Sequence, residues 1–262
     1  MLTFDISNEY IGSGVSYGLD RGLLVYSDND LLLEEGMGLG ACALQTDGYT
    51  YFTSIKNIKK EKASFEVECT IDKKLVWKVL GVKAKLLTRI LEGITSNIYM
   101  KHENKQRQLL RLGGFLRKVF SVHSCFVKVK SQGEVRIVFK IEDNEILVDL
   151  SCKTEKMGSK LFVMNELGGN IFDKGIINHE LIRPPSGWNK IEQPSELYSS
   201  SHALAFALAE SHVPDNVRST LFWGRELAGN SYCWAGFESE ISCESGEFRE
   251  YKYSIKFREV EI

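Results

Sequence analysis

Long hydrophobic runs are missing from this chain: no apolar stretch among its 262 residues approaches the roughly 20 residues that a membrane-spanning helix needs. The opening residues, Met1-Leu2-Thr3-Phe4-Asp5, lack the basic start and apolar core of a secretory signal, so a cytoplasmic protein with no membrane span is expected. Charge of one sign is missing too. The formal net charge is only -2, and no zinc-finger or RNA-recognition signature is present, which argues against a nucleic-acid partner.

Metal-ligand spacing is also absent. Six cysteines (Cys42, Cys69, Cys125, Cys152, Cys233, Cys243) lie far apart, and several fall on apolar strand faces, so buried free thiols are expected. The five histidines show no metal-binding pair; His202 and His212 would sit about 80° apart around a helix. No G-x-S-x-G elbow, dinucleotide loop, triphosphate loop or haem-attachment motif occurs. Neither a metal nor a cofactor is therefore expected. Gly36-Met37-Gly38-Leu39-Gly40 has the wrong spacing for a phosphate loop, and a bend or bulge before a strand is the reading it supports.

What the chain does have is strict alternation. Between about 122 and 165, four segments each carry one apolar and one polar face, because successive side chains of a strand point oppositely. Val135, Ile137, Phe139 and Ile141 oppose Arg136, Lys140 and Glu142. Cys125, Val127 and Val129 do the same against Lys128 and Lys130, as do Ile146, Val148, Leu150 and Cys152 against Glu145, Asp149 and Ser151. A shorter, less regular segment runs from Leu161 to Asn165. The short links between them predict an antiparallel meander in which sequential neighbours pair.

Further strands are predicted near 2–6, 22–27, 39–45, 49–55 and 63–71, with Thr46-Asp47-Gly48 as a hairpin turn. Val217–Trp223, Tyr232–Ile241 and a tail strand over Tyr251, Tyr253, Ile255 and Phe257 complete the set. Two stretches break this rhythm. Leu86, Leu87, Ile90, Leu91, Ile94 and Ile98 recur at helical spacing and predict a helix over 83–98, inside a possible helical insertion over 83–120. The other is 183–216, which holds all four prolines and a Ser199-Ser200-Ser201 cap for a predicted short helix over 201–210. The architecture expected is one mainly-β domain over 1–262, an antiparallel β-sandwich or open barrel, with 183–216 as a covering segment.

Between Lys83 and Lys118 nine basic residues face two acidic ones, which makes a solvated helix face or a partner surface. His123 shares a strand face with Cys125 and reads as a core or edge histidine.

Site-competent residues are densest late in the chain. Three of the four tryptophans and three of the five histidines lie there, and aromatic walls with a few directed polar groups describe many small-molecule pockets. His179 with Glu226 is the candidate acid/base pair. Arg183, Trp188, His202, Trp223, Arg225, Tyr232 and Trp234 are the candidate ligand contacts, near strand ends in the C-terminal half. The function expected is a small-molecule-binding protein whose ligand is apolar or carbohydrate-like. The alternative is a cofactor-independent enzyme, a lyase, hydratase, isomerase or glycan-acting hydrolase, using His and carboxylate groups at the same mouth.

Overall fold

A computed structural model describes residues 2–12, 15–33, 37–80, 82–83, 86, 90, 119, 121–182, 187–190, 195–210, 213–225, 233–244 and 246–259. The period-two pattern at Val135 to Ile141 does form an extended strand, with Val135, Ile137 and Phe139 buried and Arg136 and Lys140 exposed.

The strands in chain order are β1 (Leu2–Ile6), β2 (Ile11–Gly12), β3 (Val15–Ser16), β4 (Leu23–Ser27), β5 (Asp30–Leu31), β6 (Leu39–Thr46), β7 (Tyr49–Glu61), β8 (Ser64–Val79) and β9 (Val82–Lys83). The central group is β10 (His123–Lys128), β11 (Gly133–Glu142), β12 (Glu145–Thr154) and β13 (Ser159–Gly168). After a 3-10 turn at Gly169–Ile171 come β14 (Lys174–Ile177), β15 (Glu180–Ile182), β16 (Gly187–Lys190), β17 (Glu196–Ser199), β18 (Leu204–Ala209), β19 (Val217–Arg225), β20 (Cys233–Cys243) and β21 (Phe248–Glu259).

All described pairings are antiparallel. One layer runs β16-β19-β20-β13-β6, with β4 and β1 attached at its edge. The other runs β8-β11-β12-β21-β18-β17-β14-β15. The long strand β7 pairs with both β6 and β8, so hydrogen bonding passes from one layer into the other and the sheet folds over on itself. No described pairing closes it into a barrel.

Contacts across the fold show that the two inner faces meet. Phe206 of β18 packs edge-on against Phe237 of β20 at 5.1 Å between ring centres, and the Tyr253 hydroxyl of β21 lies 3.0 Å from Asn165 of β13. The result is a mainly-β sandwich, as expected.

Three expectations change. The four-strand meander does not form: β10 and β11 lie end to end along β8, and only β11 and β12 pair as sequential neighbours. After β12 the chain crosses to the opposite layer, where β13 lies between β6 and β20. Alternation says which side of a strand is buried, but burying two inner faces against each other requires that some sequence neighbours separate. The short Leu161–Asn165 segment is in fact a full strand, Ser159–Gly168.

The predicted helix over 201–210 is replaced by a turn through Ser200 to Ala203 and then β18. Alanine-rich Leu204–Ala209 favours a helix locally, yet Phe206 is fully buried between Phe257 and Phe237, and strand pairing with β17 and β21 overrides propensity. Where it is described, the segment 183–216 contributes β16, β17 and β18 to the sheet. The predicted helix over 83–98 falls mainly outside the described residues, as does the basic stretch up to Lys118; Leu86 and Ile90 have helical backbone and are exposed.

Turn chemistry follows expectation. Asp47 and Gly48 both have positive φ, 53° and 71°, which suits a tight hairpin between β6 and β7. Within the glycine-rich stretch, Gly40 has φ 73° and marks a bulge where β6 slips register against β13. Among the described residues no helix is long and apolar enough to cross a membrane.

Candidate functional site

The outward face of the second layer carries a groove of about 710 Å³. It is lined by Arg136, Val138 and Lys140 of β11, Glu145, Leu147 and Asp149 of β12, and Lys252, Ser254 and Lys256 of β21, with Ala209 and Glu210 at one flank. A second hollow of about 500 Å³ shares Glu145 and Lys256 and continues over Ala205, Ala207 and Arg258 towards Glu196. The two form one track along β21.

Residue size explains the track. Ala205, Ala207 and Ala209 are the outward positions of β18, and Ser254 is the outward neighbour of Ala209 on β21. These small side chains leave the sheet surface low, while the long side chains of Lys140, Lys252 and Lys256 stand beside it.

Opposite charges alternate across the strands. Lys252 stands directly opposite Asp149 at 3.6 Å, and Lys256 opposite Glu145 at 3.6 Å. Arg136 donates to Glu66 at 2.8 Å and holds that carboxyl below its ordinary range. At the far end Arg258 donates to Glu196 at 2.8 Å, and the Tyr198 hydroxyl donates to the same carboxylate. Tyr198 shares the outward row with Ala205 and Arg258 and is half-buried. Burial, then the hydrogen bond to Glu196, pushes its phenol up. The surface is thus close to neutral, dense in hydrogen-bonding groups, and carries apolar patches at Val138 and Leu147 and a ring at Tyr198.

Beneath the groove lies a buried polar chain. Glu210, at the end of β18, turns inward and accepts hydrogen bonds from the Tyr251 hydroxyl and from Ser219 at 2.9 Å. Ser239 lies 3.0 Å from Ser219 and 2.9 Å from the Tyr251 hydroxyl. Burial, then the neighbouring Glu210 charge, pushes the Tyr251 phenol up, so it stays a donor.

A separate cluster occupies the outer face of the first layer. Glu166 is 8% exposed and Glu238 is half-buried; they sit diagonally on paired strands, since Glu166 is in register with Gly236. Burial pushes Glu238 up to about 7, with the Glu240 charge adding to it. Burial raises Glu166 as well, partly offset by a backbone donor at Met37 and by Arg21.

The residues predicted from sequence are not gathered at the groove. Asn178 and His179, with φ 50° and 70°, form the tight turn between β14 and β15, and His179 is exposed. His202 is exposed in the turn before β18, where its backbone N–H donates to Ser199 at 3.3 Å. Trp223 is 0% exposed and donates from its indole to the Gly169 carbonyl at 3.2 Å, which makes it a core residue rather than a pocket wall. Trp188, Arg225 and Trp234 are placed in β16, β19 and β20 as backbone, with their side chains outside the description; Arg183, Glu226 and Tyr232 lie outside the described residues. His123 is an exposed edge residue whose ring lies 3.0 Å from the Ser121 carbonyl. The five described cysteines are free and buried, and no group of three His, Cys, Asp or Glu among the described residues is arranged to hold a metal.

Sequence reasoning missed the groove because its charged residues read as ordinary solvated strand faces. A usable signal was present in Leu204-Ala205-Phe206-Ala207-Leu208-Ala209, whose period-two order places every alanine on one side.

The fold and groove together define a β-sandwich domain with an open polar track on one face. No protein-family model matches the chain, and no curated protein does. Among solved structures it is similar to a glycoside hydrolase family 97 enzyme from Pseudoalteromonas sp. strain K8 in complex with acarbose, with TM-score 0.50 and 10% identity, over 99% of this chain and 34% of that one. It is similar as well to a heparan sulfate lyase HepC mutant from Pedobacter heparinus, with TM-score 0.43 and 6% identity, over 99% of this chain and 33% of that one. The chain spans about a third of the length of these structures. At such identities the likeness is one of fold.

Proposed function

We propose that this chain is a carbohydrate-binding β-sandwich domain that holds a neutral, hydroxyl-rich ligand along the β21 track. The observation that carries the reading is the pairing of Lys252 with Asp149 and Lys256 with Glu145 beside the low floor of Ala207, Ala209 and Ser254. Charged groups that neutralise each other still present donors and acceptors to hydroxyls, without the net field that would select a strongly anionic ligand. Leu147, Val138 and the Tyr198 ring supply the apolar surface on which the C–H faces of a sugar pack. The glycoside hydrolase bound to acarbose, with its similar fold, agrees with this ligand class. Five buried free thiols among the described residues fit a reducing, cytoplasmic setting.

The test is calorimetric titration of the whole chain with neutral oligosaccharides, alongside sulfated ones and aliphatic ligands. Binding of the neutral sugars that is lost in Ala207→Trp, with the thermal midpoint retained, supports the reading. Binding that survives Ala207→Trp sinks it, as does a preference for aliphatic ligands.

A second reading, an enzyme with carboxyl acid/base groups, is favoured by Glu238, whose proton affinity near neutral pH suits proton transfer. Hydrolysis of a glycoside by the wild type that disappears in Glu238→Gln would select it over the binding domain.

A further inference from the structure

We infer that Cys152 and Cys243 are a reversible redox pair, which a hydroperoxide converts into a disulfide joining the two layers of the sandwich. Cys152 belongs to β12 and Cys243 is the last residue of β20, in the opposite layer. Their sulfurs are 3.6 Å apart although the residues are 91 positions apart in the chain. Side chains that meet across a sandwich are normally both aliphatic. Here two thiols face each other, with the buried Cys42 thiol nearby, and a disulfide requires the sulfurs to approach to about 2.05 Å, a shift of roughly 1.5 Å. Cys243 can supply it, because its strand ends there and exposed Glu244 follows.

The pair is also asymmetric. Either thiol can donate in the bond between them, but the Leu161 backbone N–H and the Arg249 guanidinium both act on the Cys243 sulfur and favour its thiolate, against its burial. Cys152 is pushed up by the same bond and by burial. Arg249, in register with Cys152 on β21, has a buried Nε without a hydrogen-bond partner among the described residues, while its other end is engaged by Glu244 and Glu247. The arrangement is that of a nucleophilic thiolate and a resolving thiol.

The chemistry balances. The Cys243 thiolate attacks one oxygen of hydrogen peroxide; an S–O bond forms, the O–O bond breaks, and the departing hydroxide takes a proton to become water. The sulfur of Cys152 then attacks the Cys243 sulfenic acid; the S–S bond forms, the S–O bond breaks, and the Cys152 proton leaves with a second water. Two thiols are oxidised and one peroxide is reduced. The new bond closes a long loop and ties β12 to β20, so the oxidised protein unfolds at a higher temperature.

The whole folded chain treated with hydrogen peroxide, then alkylated and peptide-mapped, tests this. A Cys152–Cys243 linkage as the main product, removed by dithiothreitol and accompanied by a raised thermal midpoint, is the expected result. Cys42→Ser is expected to keep the linkage, and Cys152→Ser to leave Cys243 oxidised without a disulfide. Recovery of both thiols fully alkylated overturns the inference. So does Cys243 driven to sulfinic acid while Cys152 stays reduced, or a main disulfide that uses another cysteine. The wild-type map decides the matter even if a variant does not fold.

Discussion

The Tyr253 hydroxyl donates to Asn165 Oδ1 at 3.0 Å, and the same oxygen accepts the backbone N–H of Gly40 at 3.0 Å. One amide oxygen thus joins β21, β13 and the bulge of β6 at the centre of the sandwich. Removing the hydroxyl in Tyr253→Phe leaves Asn165 with one of its two donors and is expected to cost about 1 kcal/mol. Asn165→Ala strands both donors inside the core and is expected to cost about 2–4 kcal/mol. Urea unfolding measures both, and equal costs for the two variants would refute the shared-acceptor argument.

Gly40 is fixed twice over. Its φ of 73° is unfavourable for any side chain, and an added Cβ would lie 2.7 Å from the Phe139 ring. Gly40→Ala is expected to destabilise the fold by about 2–5 kcal/mol, combining backbone strain with overpacking. Pairing it with Phe139→Leu should recover part of the loss. Costs that simply add in the double variant count against the clash.

Glu238 gives the fold a pH signature. Its carboxyl, raised from 4.5 to about 7 by burial, binds a proton more tightly folded than unfolded. That contribution is fully present below the unfolded value and is lost as pH climbs through the folded one, so stability falls between 4.5 and about 7. Glu166 and Asp20, both raised by burial, act in the same direction. Glu238→Gln mimics the protonated state and is expected to flatten the decline. Thermal midpoints of both proteins at about pH 5 and about pH 8 test it, and identical slopes would remove Glu238 as the cause.

The ion pair of Lys252 and Asp149 is exposed, with side chains 64% and 52% accessible. Its contribution to folding is accordingly small, and Lys252→Ala is expected to shift stability by less than about 1 kcal/mol. Affinity for a sugar on the track should fall at least several-fold in the same variant. Calorimetry on a variant of unchanged melting point separates the two roles; unchanged affinity would exclude Lys252 from the ligand surface.

Much of the sandwich was readable residue by residue. Val135, Ile137 and Phe139 declared their buried side, and Asp47-Gly48 declared its hairpin, because both signals are local: side-chain period and backbone chirality. Leu204–Ala209 was misread because the Ser199-Ser200-Ser201 cluster was taken as a helix cap and the alternation that follows it was not weighed. Trp223 was misread because an aromatic residue carries no mark distinguishing a core position from a pocket wall. Beyond the one-sided alanines of β18 the track could not be read, since Asp149, Lys252 and Ala209 are far apart in sequence and become neighbours only through the pairings of β12, β21 and β18.

The order of residues by itself determined extended conformation, the buried face of each strand and the tight turns, all of which depend on contacts within a few positions. Tertiary structure alone decided which strands lie side by side, which layer each joins, and hence that Asp149 meets Lys252 and Cys152 meets Cys243. Period two is shared by every amphipathic strand, so it cannot name a partner. Only closing the whole core at once, with every inner face covered, selects one pairing over the others.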